Sequence, residues 1–303
     1  MTRKQALRTK LWMVLGLCLT LSTACGRPAT TEESPSGQPA QRARFDQALH
    51  DLLPASVRDR GTLRVGTDAS YAPMSSFGAD GRTIVGMEPD LGSAMGRVLG
   101  VRVRFVDTDF TQILDSVENG SLDLGMSAMT DTSQRARTVD FVNYFSAGTA
   151  IVVQRGNPAG ITNIGGLCGR VVAVEAGTTQ VDLLRRAQAN CSGGRIAIRT
   201  YNTNSDALLQ LRTGRAVAVL NDLPPAVFLV NDPRTRSHYQ LASTTQYEPG
   251  LYGIAVAKDQ HALRDAVQGA LEQLLNAGDY QHVLRHWNVG DGSVDRISVN
   301  SDR

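Results

Sequence analysis

The chain has 303 residues, with 31 Lys and Arg against 29 Asp and Glu and a formal net charge of +2. That length accommodates one large or two ordinary domains, and the balanced charge excludes the basic footprint of a nucleic-acid binder. Residues 1–24 carry Arg3, Lys4, Arg8 and Lys10 and no acid, so without them the basic count falls to 27 and the net charge to −2.

Those first residues read as an export segment. MTRKQALRTK is basic, and LWMVLGLCLTLSTA is an apolar run of 14 residues ending just before Cys25. The run is too short to span a bilayer as a mature helix, and the order of basic then apolar is that of a cleaved secretory signal. Ser22, Thr23 and Ala24 before Cys25 resemble the bacterial lipobox, whose cysteine is lipidated and becomes the mature N-terminus. Ser22 departs from that pattern, which usually carries Leu there, and a plain cleaved signal is the alternative. Residues 25–55 are then a lipid-anchored flexible linker and pre-domain segment. GRPATTEESPSGQPAQ holds no apolar side chain larger than Ala or Pro, so burial cannot offset the entropy of ordering it.

After the amphipathic piece RFDQALHDLLPASVRDRG, TLRVGTDASY predicts a strand running into a polar turn. EPDLGSAMGRVLG predicts a helix with Leu91, Met95, Val98 and Leu99 on one face and a glycine at its end. VRVRFVDTD is an alternating strand, FTQILDSVENG a helix and SLDLGMSA a buried strand. The order repeats: GRVVAVEAGTTQVDLLRRAQAN is strand, turn and helix, RIAIRTY a strand, and NSDALLQLRTGRAVAVLND helix, turn and strand. GLYGIAVAKDQ is a strand, and HALRDAVQGALEQLLNAGDYQHVLRHW supplies two helices. Alternating helices and short strands point to mostly parallel sheets covered on both faces. The internal parallel between FTQILDSVENGSLDLGMSA and SDALLQLRTGRAVAVLND argues for two similar α/β lobes rather than one long sheet. Lobe 1 is expected at 56–148 and 250–292, lobe 2 at 149–249, and a C-terminal tail at 293–303. Crossings near 148–150 and 244–248 would form a hinge.

Beyond Cys18 and Cys25, Cys168 and Cys191 remain, in GLCGR and NCSGG. In an exported chain they read as a disulfide rather than a metal site, because no companion ligands accompany them at short spacing. His282 and His286 share a helical face without a third ligand, so no metal and no cofactor is expected.

In parallel α/β sheets ligands bind beyond the C-terminal ends of the strands. The residues there are Asp68, Ser70 and Tyr71; Ser127 and Thr130 to Arg135; Gly177 to Gln180; and Asn221 and Asp222. Arg135 can offer a planar pair of N–H donors to a carboxylate, or form a surface salt bridge. Thr178 and Thr179 precede a helix and could hold an anion, or simply cap it. Asp222 could take an ammonium, or hold the turn before Pro224, and Asp68 has the same alternative. Tyr71 could stack on the ligand or pack between lobes, and Met74 is pocket wall or core. Arg137 reads as a surface residue. Together the set complements a zwitterion.

LRVGTDASYAP, GMEPDLGSAMGRVLG, DLGMSAMTDTSQR with VDFVNYF, RVVAVEAGTTQ, AVAVLNDLP and YGIAVAKD, ending in AGDYQHVLRHW, resemble the extracellular solute-binding family 3, the polar amino-acid type that feeds ABC importers. The resemblance covers about residues 60–289. It implies a bilobal α/β fold of the periplasmic-binding-protein type II, two lobes joined by a two-strand hinge. Arg135 would clamp the ligand α-carboxylate with help from Thr130, Thr178 and Thr179. Asp222 would take the α-amine, with the backbone oxygen near Ser127 assisting, Tyr71 would cover the ligand, and Asp68 would face its side chain. Ala128 stands where several members have a second Ser, and Met74 where they have Phe, which would remove one hydrogen bond and soften the wall. The Cys168 and Cys191 pair resembles lipid-anchored relatives from high-GC Gram-positive bacteria. The implied function is binding of a polar or cationic amino acid without catalysis and its delivery to ABC permease transmembrane subunits. The protein would be a monomer, tethered through Cys25 to the outer face of the cell membrane. A dehydratase-like enzyme and an extracellular sensor module are the alternatives.

Overall fold

The computed structural model describes residues 42–300. The export segment, Cys25 with its expected lipid, and the stalk as far as residue 41 lie outside the described residues. The pre-domain piece forms two short helices, α1 (Gln47–Asp51) and α2 (Ala55–Arg60), split at Pro54. They dock rather than trail, with Leu53 and Val57 at 1% exposure and the Asp46 carboxylate accepting from the Leu49 N–H at 3.1 Å to cap α1.

The first half then runs through β1 (Thr62–Thr67), β2 (Ser70–Tyr71), β3 (Ser75–Phe77), β4 (Ile84–Val85), α3 (Met87–Leu99), β5 (Arg102–Asp107), α4 (Ile113–Glu118), β6 (Leu124–Gly125) and the long β7 (Val139–Gln154). Helix α3 buries the predicted face of Leu91, Met95, Val98 and Leu99, each side chain worth about 1.5–3 kcal/mol. Gly100, at φ +66°, closes it by donating its N–H to Gly96 O.

The second half holds β8 (Val171–Glu175), α5 (Thr179–Ala187), β9 (Ala197–Tyr201), α6 (Asn204–Arg212), β10 (Ala218–Asp222), α7 (Leu223–Asn231) and β11 (Tyr239–Leu241). The chain then returns through β12 (Tyr247–Ala257), α8 (His261–Ala277), α9 (Asp279–His286) and β13 (Ser298–Val299).

Two sets of apolar clusters divide the molecule into lobes. One set draws on residues 53–145 and 252–297, the other on residues 150–220 and out to Tyr239. Inside each lobe the strands pair in parallel, β1 with β5 and β6, and β8 with β9 and β10. The expectation of lobes without a common sheet is corrected: the strand order β5-β1-β6-β12-β7-β10-β8-β9 is continuous. Strands β7, with 16 residues, and β12, with 11, are long enough to carry antiparallel pairing through both lobes. Their crossing lies where Tyr247 pairs with Thr149 and Gly250 with Ala147, across a register shift. Glu248 sits in that bulge at φ +45°.

The described part of the C-terminal tail packs on lobe 1, with Ile297 in its core. β13 adds to β7 opposite Val142 and Asn143, and Asn300 donates to Asp140 and accepts from the Phe141 N–H. In lobe 2 a Cys168–Cys191 disulfide, with a Cα separation of 5.5 Å, ties the approach to β8 to the approach to β9.

Candidate ligand cleft

The parallel strands of both lobes end toward one another, so the polar residues that follow them meet. Asp68, Tyr71, Ser127, Ala128, Thr130 and Arg135 from lobe 1 line a single cavity with Thr178, Thr179 and Asp222 from lobe 2. All nine sequence-predicted ligand residues therefore gather in one place. Phe110, Glu175 and Gln180 complete the lining; Gln180 stands among the strand-end residues singled out in the sequence, whereas Phe110 and Glu175 do not. Met74 does not line the cavity; it is fully buried in the lobe 1 core, so its expected softening of the wall is corrected.

Four hydrogen bonds cross the cleft between the lobes. The Tyr71 hydroxyl accepts from the Asp222 N–H at 2.8 Å and donates to Asp222 Oδ2 at 3.2 Å. The Arg135 guanidinium donates through Nη2 to Gly177 O at 2.9 Å, and the Asn204 N–H donates to Ser70 Oγ at 3.2 Å. With the side chains holding one another, the open room is about that of one water molecule. An amino acid can reach these groups only when the lobes part.

Arg135 makes no salt bridge with the described residues, which removes the surface-pair alternative. Its Nη1 donates to Thr130 O at 2.8 Å, and its guanidinium lies 5.3 Å from the centre of the Phe110 ring. Burial lowers its pKa to about 10, still charged at neutral pH. Beside it, α5 begins without a side-chain cap, because the Thr178 hydroxyl turns back to donate to Glu175 O at 2.8 Å. A nine-residue helix N-terminus and a guanidinium thus face the same space, a pairing suited to an anion.

Asp222 is positioned as the N-cap of α7 but does not cap it. Its carboxylate accepts instead from Gln180 Nε2 at 2.6 Å and from Tyr71. Burial raises its pKa to about 6 against the hydrogen bonds from Tyr71 and Gln180 and the charge of Arg135. Asp68 keeps part of its turn role, accepting from the Ser70 N–H at 2.7 Å, while its own N–H donates to Ser127 Oγ at 2.9 Å. Burial raises its pKa as well. Glu175 ends β8 at 6% exposure, and its pKa is pushed well up, first by burial and then by the charge of Asp68. Ala128 adopts φ +46°, and its N–H is taken at 2.5 Å by Glu88, a fully buried carboxylate that also accepts from Ser75 and Tyr144. The Ala128 amide is therefore spent on the scaffold.

Two α/β lobes on a two-strand hinge, closing on a polar cavity at their strand ends, define a bilobal solute-binding protein. The chain belongs to the bacterial extracellular solute-binding proteins, family 3, whose profile matches residues 63–290. It is 31% identical over 258 residues to the arginine-binding protein ArgT of Corynebacterium glutamicum, covering 83% of this chain and 82% of that one. Among solved structures it is similar to an ancestral arginine-binding protein bound to arginine, with TM-score 0.69, 32% identity and coverage of 75% and 98%. It is similar too to AncCDT-1, an ancestral amino-acid-binding protein described as a precursor of cyclohexadienyl dehydratase, with TM-score 0.68, 31% identity and coverage of 77% and 97%.

Proposed function

We propose that the protein captures an amino acid with a cationic side chain and delivers it to the membrane subunits of an ABC-type importer. The observation that carries this reading is the charge layout of one interlobe cavity, with a guanidinium on one side and three carboxyls, Asp222, Asp68 and Glu175, elsewhere in its lining. Arg135 and the start of α5 take the α-carboxylate, aided by Thr130 and Thr179. Asp222 takes the α-ammonium, assisted by the backbone near Ser127, Tyr71 covers the ligand, and Asp68 and Glu175 face the cationic head. Relatives named for arginine binding support the same ligand class. The lobes open, admit the ligand, close over it and present the closed form to the permease. The protein works as a monomer held at the outer membrane face by lipid on Cys25.

A dehydratase on the same fold is the second reading, favoured by one observation: burial brings the Asp222 pKa to about 6, near the range a general acid needs. Binding alone is preferred because both Asp222 oxygens accept from placed donors, which favours the ionised carboxylate that an ammonium pairs with. A thermal-shift screen of the 20 common amino acids tests the choice, since a ligand bound only by the native state raises its stability. Arginine, lysine or ornithine, the last added to the panel, should give the largest upward shifts. A flat panel, or shifts confined to acidic or apolar amino acids, refutes the reading.

A further inference from the structure

Nothing in the family assignment fixes what Glu175 does. It is contributed by lobe 2 at the end of β8, while Asp68 is contributed by lobe 1 at the end of β1, and both line the cavity at 5–6% exposure. Glu175 Oε1 has no hydrogen-bond donor among the described residues. Both carboxyls line a cavity with room for about one water molecule, and after burial the charge of Asp68 is the largest cause that raises the Glu175 pKa. Two buried carboxylates in so small a space cannot both ionise unless a cation joins them.

No described residue forms a salt bridge with either carboxyl. Arg135, a cation lining the same cavity, spends Nη1 and Nη2 on Thr130 O and Gly177 O, and its charge lowers the pKa of Asp222. The other groups packed around the pair add negative charge or none. They are Asp107 at the end of β5, Asp222 at the end of β10, Tyr71 of β2, Tyr201 opposite Glu175 on β9, and Tyr252 of β12 beyond Asp222.

Building on the amino-acid reading above, we propose that Glu175, opposed to Asp68 across the cleft, is a specificity-determining residue that makes closure require either a cation on the ligand side chain or a proton on the carboxyl pair. A cationic head replaces the proton. A neutral head of the same length needs the proton to stay. The raised pKa values of both carboxyls agree in direction, because a closed cleft without a cation holds protons more firmly than free carboxyls do. Binding of a cationic ligand then releases a proton and strengthens as pH rises, whereas binding of a neutral isostere weakens.

L-arginine and L-citrulline differ by a guanidinium against a neutral ureido group and share the α-ammonium and α-carboxylate. Their affinity ratio therefore cancels the titration of Asp222, which acts on both. Isothermal titration calorimetry of the purified protein between pH 5 and pH 8 should show the arginine-to-citrulline ratio rising with pH. The limit is about tenfold per pH unit, the slope for one exchanged proton. Titrations in two buffers of different ionisation enthalpy should count up to one more proton released with arginine than with citrulline, and this readout needs no variant. Glu175→Gln should lower the ratio and flatten its pH dependence. A constant ratio in the unaltered protein, or a slope kept by Glu175→Gln, overturns the proposal while leaving amino-acid binding in place. Failure of both ligands to bind at every pH overturns the proposal together with the functional reading.

Discussion

Arg135 offers the sharpest test of the carboxylate clamp. Arginine carries five N–H donors, and two of its nitrogens each spend one on the carbonyls of Thr130 and Gly177. The remaining donors can meet a ligand carboxylate as a charge-assisted pair worth about 1.5–3 kcal/mol per bond. Arg135→Ala should therefore cost about 3–6 kcal/mol of binding, a factor of roughly 10²–10⁴ in Kd. Arg135→Lys keeps the charge but loses the planar fork, and should fall between the two. Stability should hardly change, because the side chain has no ion-pair partner to orphan and the Gly177 carbonyl it leaves is at an exposed turn. Calorimetry with L-arginine measures the affinity, and melting without ligand checks the fold. An Arg135→Ala protein that melts normally and binds arginine within a few fold of the parent would refute the clamp.

Asp222→Asn should weaken arginine binding by about tenfold or more, through loss of a charge-assisted bond of about 1.5–3 kcal/mol. It should also shrink the preference for an amino acid over its deaminated analogue, measured by calorimetry; an unchanged preference assigns the ammonium elsewhere. The raised pKa of Asp222 also has a thermal signature. A carboxyl whose folded pKa is about 6 against an ordinary 3.8 favours the native state at low pH. That contribution is lost as pH rises through about 6. Melting without ligand should fall as pH rises from about 4 through about 6, and Asp222→Asn should remove part of the slope. Replacing Cys168 and Cys191 by Ser opens a loop of sequence separation 23, which should cost about 3 kcal/mol in denaturant titrations and leave arginine affinity nearly unchanged.

Much of the cleft is legible in the sequence because its chemistry violates the local pattern. Asp68, Ser127, Thr130, Arg135 and Asp222 are polar residues placed where apolar strands stop, and parallel topology sends all such ends to one side. Phe110 follows β5 by the same rule, but an aromatic at the head of FTQILDSV reads equally as the start of an apolar helix. Glu175 was visible as the lone charge closing VVAVE, yet what it meets depends on lobe closure, which no local spacing encodes. Tyr252 looks like any core aromatic of β12; only the return of that strand brings it near Asp222, whose charge helps raise its pKa after burial. The Thr178 side chain follows the backbone path of one turn, a detail below the resolution of residue type. β13 escaped notice because RISVNSDR has almost no strand pattern of its own and pairs only because β7 extends far enough to offer an edge. The single sheet path has the same origin, since the length of β7 shows how long the strand is but not that both lobes share it.

A crystal structure of the protein grown with L-arginine tests the central claim most directly. The account predicts the ligand in the interlobe cavity, its α-carboxylate on Arg135 and the start of α5, its α-ammonium on Asp222, and its guanidinium between Asp68 and Glu175. A ligand bound outside that cavity, or reversed within it so that its carboxylate faces Asp222, would contradict it.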